Sequence, residues 1–219
     1  MQVINLSEQN SLLHQFTSEL RDVSIQNDRL RFRKNIERIG QIMAYEISKQ
    51  LPWELVNVTT PLGTHQSKRL AEQPVLATIL RAGLSMHHGL LSYFDQADCA
   101  FISAYRRHQD EHHFDIVVEY LASPDINNRI VLLIDPMLAT GQSIDLTYQA
   151  LLKYGKPKQL HVVSLIASAP GVEYLKNKLP GHTLWIASMD DALNEHGYIV
   201  PGLGDAGDLS FGEKLERRD

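Results

Sequence analysis

A chain of 219 residues with 43% hydrophobic content is long enough to bury one sizeable core and short enough to form one α/β domain spanning 1–219. Its formal net charge of -5 and isoelectric point near 6.0 argue against a dedicated nucleic-acid binder, which ordinarily presents a basic face. The opening MQVINLSEQN lacks the basic and apolar regions of a secretion signal, no stretch approaches the roughly 18 apolar residues of a membrane span, and one cysteine excludes an intrachain disulfide, so a cytoplasmic protein without membrane contact is expected.

The first strong periodicity predicts a helix over 29–50, with Ile36, Ile39, Met43 and Ile47 on one face and Arg31, Arg33, Lys34, Glu37 and Arg38 elsewhere. It packs either across the core or against a second subunit. An apolar run, Val75 to Leu80, predicts a strand, and Arg81-Ala82-Gly83 follows it. A glycine there permits close backbone approach to a diphosphate and Arg81 supplies charge; the competing view is a plain strand-to-helix turn with His87 and His88 on the helix surface. A further strand runs from Cys99 to Ser103, with Cys99 as a small core residue.

The segment AYRRHQDEHHFDIVVEY, 104–120, places Arg106 and Arg107 directly after that strand, where a guanidinium reaches a pyrophosphate with two parallel hydrogen bonds. The polar residues 107–113 suit a hairpin or lid that excludes water, or else a solvated hairpin whose charges do nothing specific. His108, His112 and His113 form only a weak candidate for a metal cluster.

Ile130 to Ile134 reads as a central parallel strand whose carboxyl end is Asp135. Ala139, Thr140, Gly141, Gln142 and Ser143 then make a small-residue turn that directs backbone N–H groups and two hydroxyls at an anion on the following helix N-terminus. Ile144, Tyr148, Leu151 and Leu152 share the buried face of that helix, and Gly155 with Pro157 stops it. Strands at Val162 to Ala167 and Leu184 to Ala187 complete the alternation of a mostly parallel, twisted sheet flanked by helices on both faces. The chain contains neither G-x-x-x-x-G-K-S/T nor G-x-G-x-x-G after a strand, which removes nucleotide-triphosphatase and dinucleotide readings. One strand-end acid before a Thr-Gly turn suits a ribose 5-phosphate, the carboxylate accepting from vicinal hydroxyls while the turn holds the phosphate. The alternative is an Asx turn closing the strand, with Ser143 as a simple helix cap. Finally, GYIVPGLGDAGD at 197–208 has four glycines and one proline, too many for a helix or central strand, and is expected to be a shaped loop. A calcium turn at Asp205 and Asp208 lacks the EF-hand spacing and terminal Glu.

The 135–143 segment resembles the phosphoribosyl pyrophosphate (PRPP) loop of type I phosphoribosyltransferases, and its Asp-Pro-Met-Leu-Ala-Thr-Gly form is similar to the uracil phosphoribosyltransferase branch. The 197–208 loop resembles that family's uracil-recognition segment, and Arg81-Ala82-Gly83-Leu84 its pyrophosphate loop; Arg38-Ile39-Gly40 with Ala44-Tyr45-Glu46, and Thr60-Pro61-Leu62-Gly63, fit its amino-terminal region. The resemblance implies a type I fold with an N-terminal helical extension and a C-terminal base-binding loop, and transfer of ribose 5-phosphate from PRPP to N1 of uracil. It implies PRPP binding by Arg81, Arg106, Asp135, Pro136, Met137, Leu138, Ala139, Thr140, Gly141, Gln142, Ser143 and Asp205. Uracil falls to Ile199, Gly204, Asp205 and Ala206, and the catalytic positions are Asp205 and Arg106. It further implies Mg²⁺ bridging pyrophosphate and ribose oxygens with no named protein ligand, an unusual cis peptide at the Arg81 loop, a homodimer or larger assembly, and a purine nucleotide such as GTP as effector. Three departures stand out: Pro136 replaces the second acid common in the superfamily, Gln142 stands where the family usually has glycine, and the 104–120 loop lacks a Glu-Pro pair. A glutamine does not take positive φ cheaply, which keeps open a non-catalytic nucleotide-sensing regulator on the same fold. A transferase for another base is a third reading.

Overall fold

Alternate residues of the central strands face two separate apolar clusters, which is why those strands read as unbroken hydrophobic runs. In the computed structural model, which describes residues 1–108 and 114–215 and the side chains outside 104–118, Val75, Ala77 and Ile79 join one cluster while Leu76 joins the other. The elements follow in chain order. Strand β1 (Gln2–Asn5) precedes helices α1 (Leu12–Arg21) and α2 (Arg29–Ser48), then a hairpin of β2 (Trp53–Thr60) and β3 (Gly63–Leu70). Next come β4 (Val75–Leu80), α3 (Leu84–Leu91), β5 (Asp98–His108), β6 (Phe114–Ala122), β7 (Ile130–Ile134) and the two-residue β8 (Met137–Leu138). The chain continues through α4 (Gln142–Leu151), β9 (Gln159–Ser168), α5 (Ala169–Lys178), β10 (Thr183–Asp190), β11 (Ala192–Leu193), β12 (Ile199–Val200) and α6 (Ala206–Phe211).

The main sheet has the order β1-β10-β9-β7-β4-β5-β6, with β8 also paired to β9, and every pairing is parallel except β5 with β6. From β4 the chain proceeds towards β5, and from β7 it proceeds towards β9. The gap beyond the carboxyl ends of β4 and β7 is therefore the place where strand order reverses, the position at which such sheets bind ligands.

Helix α2 packs across the core, its Ile36, Ile39, Met43 and Ile47 fully buried. It meets α3 at unusually short range: a Cβ on Gly40 would lie 2.6 Å from the Met86 carbonyl oxygen, and one on Gly89 would lie 2.1 Å from that of Glu37. Two glycines thus set the spacing between these helices.

Several expectations need correction. The strand from Cys99 to Ser103 continues to His108 and pairs antiparallel with β6 at the sheet edge, His108 opposite Phe114. Cys99 is half-buried beside the core, where burial raises its thiol pKa. Leu152 falls outside α4 in a following 3-10 turn and is 36% exposed. The β2–β3 hairpin is exposed along most of its length, and its apolar residues gave no alternation from which to expect it.

Candidate active site

The turn after β7 is fastened by its carbonyls. The N–H groups of Leu165 and Ile166 donate to the Pro136 carbonyl at 3.1 and 2.9 Å, the Ser164 hydroxyl donates to the Asp135 carbonyl at 2.6 Å, and the Ser168 hydroxyl donates to that of Ala139 at 2.6 Å. Three carbonyls of the turn are thus tied to β9. Helix α4 begins at Gln142 with Gly141 as its N-cap and no side-chain cap; the Gln142 N–H reaches Thr140 Oγ1 only at 3.5 Å, a marginal hydrogen bond. Ser143 is therefore inside the helix and does not cap it. Uncapped first-turn amides and the helix dipole favour an anion here. The cleft they border is lined by Asp135, Met137, Leu138, Ala139, Thr140, Gly141, Ser143 and Ile144.

Positive φ falls on Gly141, at +82°, where a Cβ would also meet Tyr174 Cδ1 at 2.8 Å and the Gly171 carbonyl oxygen at 3.2 Å. Gln142 is helical and exposed, so glutamine at this position costs the backbone nothing. Pro136 is buried within the turn, and neither it nor Gln142 lines the cleft. Asp135 is half-buried, and its Oδ1 accepts from the Met137 N–H at 3.2 Å. The Asx turn is thus present, and the same residue lines the cleft.

Beside this cleft, across the point of strand reversal, lies the loop after β4. The peptide between Leu80 and Arg81 is cis, and Gly83 is the N-cap of α3. A Cβ on Gly83 would lie 2.6 Å from the Ile79 carbonyl oxygen, 2.8 Å from Thr78 Cγ2 and 3.3 Å from the Ile134 carbonyl oxygen, so this glycine is required by packing between the two strand ends. His87 is not on the helix surface as one reading had it. It is buried, its Nδ1 2.8 Å from Thr78 Oγ1, and burial, with His88 nearby, pushes its pKa from the ordinary 6.5 to about 4. His88 is exposed.

The glycine-rich segment folds over Arg81. Arg81 Nη2 meets Asp208 Oδ1 at 2.7 Å, a pair joining residues 127 positions apart. Ile199 is buried in β12, opposite Leu193 of β11. The peptide between Val200 and Pro201 is cis, Gly202 and Gly204 have φ of +57° and +93°, and Asp205 caps α6 by accepting from the Asp208 N–H at 3.0 Å. The expectation of a wholly irregular loop is corrected here: its last three residues, Ala206 to Asp208, are helical, because Asp205 caps the first turn. Burial of Asp205 raises its carboxyl, but donation from the Asp208 and Gly207 amides and the Lys214 ammonium, 3.1 Å away, outweighs this and holds the pKa below its ordinary value. Asp205 is accordingly a carboxylate at neutral pH.

Arg81, Asp135, the 139–143 turn, Asp205 and Ala206 are thus carried by three neighbouring loops. The backbone of Arg106 lies in β5 opposite Ile116, while its side chain, that of Arg107 and the whole of His112 and His113 lie outside the described residues. Among the described residues no group of three or more His, Cys, Asp and Glu has the arrangement of a metal site, and no helix is long and apolar enough to cross a membrane. The Arg81–Asp208 pair and Lys214 were missed because no local pattern announces a partner so distant in sequence.

The family model described as uracil phosphoribosyltransferase matches residues 7–213. A uracil phosphoribosyltransferase of Porphyromonas gingivalis is 56% identical over 98% of this chain and 100% of its own, one of Streptococcus pyogenes 43% identical over 84% and 87%, and one of Pyrococcus furiosus 35% identical over 95% and 90%. A solved protein from Aquifex aeolicus superposes with a TM-score of 0.86 at 28% identity, covering 98% of this chain and 100% of that one. The chain belongs to the uracil phosphoribosyltransferase family.

Proposed function

We propose that this chain, acting as one catalytic unit over 1–219, transfers the 5-phosphoribosyl group of PRPP to N1 of uracil, giving UMP and diphosphate. Its family membership supports the reaction class, and the observation that carries the residue assignment is the junction of three loops at the strand-order reversal, clasped by Arg81 and Asp208. The 139–143 turn holds the 5-phosphate on the N-terminus of α4, and Asp135 accepts from the ribose 2- and 3-hydroxyls. Arg81, with Arg106, binds the diphosphate; Arg81 must then exchange Asp208 for the ligand. The backbone around Ile199 and from Gly204 to Ala206 reads the two carbonyls and the N–H of uracil. Cytosine is rejected because its exocyclic amine meets a donor there.

The new C1–N1 bond forms as the C1–O bond breaks, the electron pair leaves with diphosphate, and the N1 proton passes to the departing diphosphate or to solvent. Positioning and stabilisation of the departing charge supply the rate, with Asp205 orienting groups near the base. A bound Mg²⁺ would be held by diphosphate oxygens and water and would supply charge neutralisation to the leaving group; Lys214, 3.1 Å from Asp205 and 3.8 Å from Asp208, remains beside both carboxylates when Arg81 turns to the ligand. A dimer or larger assembly is supported by the exposed Trp53, Leu55, Val58 and Leu62 of the β2–β3 hairpin, and activation by GTP belongs to the same proposal. PRPP-dependent conversion of radiolabelled uracil to UMP, with cytosine, hypoxanthine and orotate in parallel, tests the activity. Binding of PRPP without turnover of uracil would replace it with a sensing role.

A further inference from the structure

We propose that Arg21 and Gln26, in and just after α1, are positioning residues for base recognition: Arg21 holds the peptide of Gly202 through a partly buried ion pair with Asp190, and Gln26 holds the Leu203 carbonyl by a direct hydrogen bond. The inference rests on the assignment of the 199–206 loop to uracil. Asp190 ends β10 and is 7% exposed; Arg21, 169 residues earlier, meets it with both ends of its fork at 2.8 Å. The same guanidinium donates to the Gly202 carbonyl at 2.8 Å and the Ser188 hydroxyl at 3.1 Å, while the Gly202 N–H donates to Asp190 Oδ2 at 2.9 Å. Both backbone groups of one loop residue are captured by one ion pair. The next carbonyl, that of Leu203, accepts from Gln26 Nε2 at 3.2 Å, which also donates to the Leu20 carbonyl at 2.9 Å.

These contacts lie immediately before the proposed base-reading residues. Gly202 is at φ +57°, and a Cβ there would lie 2.2 Å from the Ile199 carbonyl oxygen, so the chain doubles back tightly between Ile199 and Gly204. A pocket that reads its ligand with backbone amides has no rotamers with which to correct an error. The tilt of the peptides at 202 and 203 is transmitted directly to the N–H groups of Gly204 to Ala206. A partly buried ion pair is a poor source of net stability, since desolvation offsets much of its attraction; its orientational strictness is what this location uses. Arginine is needed because lysine offers one point charge and cannot hold the carboxylate and the Gly202 carbonyl in a fixed plane.

The test varies uracil at saturating PRPP, and PRPP at saturating uracil, for Arg21→Ala, Arg21→Lys and Gln26→Leu, with thermal melting of each. Losing a hydrogen bond from a charged donor corresponds to about tenfold or more, so Arg21→Ala should raise the uracil KM by that factor while the PRPP KM stays within about twofold. Arg21→Lys should recover most of the lost melting temperature and leave the uracil KM high. Gln26→Leu, which removes no charge, should raise the uracil KM about threefold to tenfold and carries the test if the Arg21 variants do not fold. An unchanged uracil KM in folded variants, equal rises in both KM values, or full recovery of the uracil KM by lysine would each overturn the proposal. Gly204→Val separates the two ideas: if that variant keeps its uracil KM, the base-loop assignment fails, whereas if it loses uracil and the Arg21 and Gln26 variants do not, only the positioning role fails.

Discussion

Asp135 combines two tasks in one carboxylate, since Oδ1 already closes the turn with the Met137 N–H. Asp135→Asn keeps an acceptor for that amide, so the fold should survive, but a neutral amide is a poor acceptor for two vicinal hydroxyls. Calorimetry should show PRPP affinity reduced by about tenfold or more, and unchanged affinity would remove the ribose role. At Gln142 the expected effect is small. Its side chain is exposed on the first turn of α4, and the positive φ is carried by Gly141, so Gln142→Gly should leave PRPP affinity within about threefold, roughly 0.7 kcal/mol. A gain of tenfold would show that the glutamine crowds the phosphate. Asp135 and Gly141 were legible in the sequence because a strand end and the turn after it are local events. The role of Asp208 was not, because its partner, Arg81, is 127 residues away and only the folded sheet brings them together.

The elements that sequence located best, α2, β4, β7 and β9, are those whose apolar residues follow one period without interruption. The β2–β3 hairpin escaped because it buries almost nothing, and burial is what imprints alternation on a strand. α6 escaped because two glycines and a proline precede it so closely that its one capping residue, Asp205, reads as part of a loop. Among the described residues a Cβ on Gly204 would approach Leu209 Cδ1 alone, at 3.8 Å, so space at the Cβ does not bar a side chain; the φ of +93° is what a β-branched residue refuses. Gly204→Val should therefore rotate the segment leading into Asp205 and nearly abolish uracil binding while PRPP binding largely survives. Separate titrations of the two ligands decide this, and loss of PRPP with uracil retained would move the base pocket elsewhere.

Over the whole molecule, two buried histidines tie stability to pH in a range where the carboxylates contribute little. His87 lies under α3 against Thr78, and His161 receives the Trp185 indole N–H at Nδ1 at 3.1 Å; burial lowers each from the ordinary 6.5 to about 4. Neither was expected, since an isolated histidine in an apolar stretch carries no sign of how deeply it will be enclosed. Between those values the unfolded chain binds protons that the native state refuses. Stability is thus unaffected above pH 6.5, falls as pH drops towards 4, and the loss is on the order of 1–3 kcal/mol for each histidine by the lower limit. Glu19 acts in the same direction but lower down: its hydrogen bond from Arg31, then that from Asn35, holds its pKa near 2 against an ordinary 4.5, so its contribution is present above 4.5 and disappears only as pH falls through 2. Urea unfolding at pH 7 and pH 5 should accordingly isolate the histidines. His161→Gln, which cannot take up a proton, should show a smaller difference between the two pH values than the parent chain, whatever its absolute stability. An equal difference in both proteins would mean that His161 is protonated at no greater cost in the folded state than in the unfolded one.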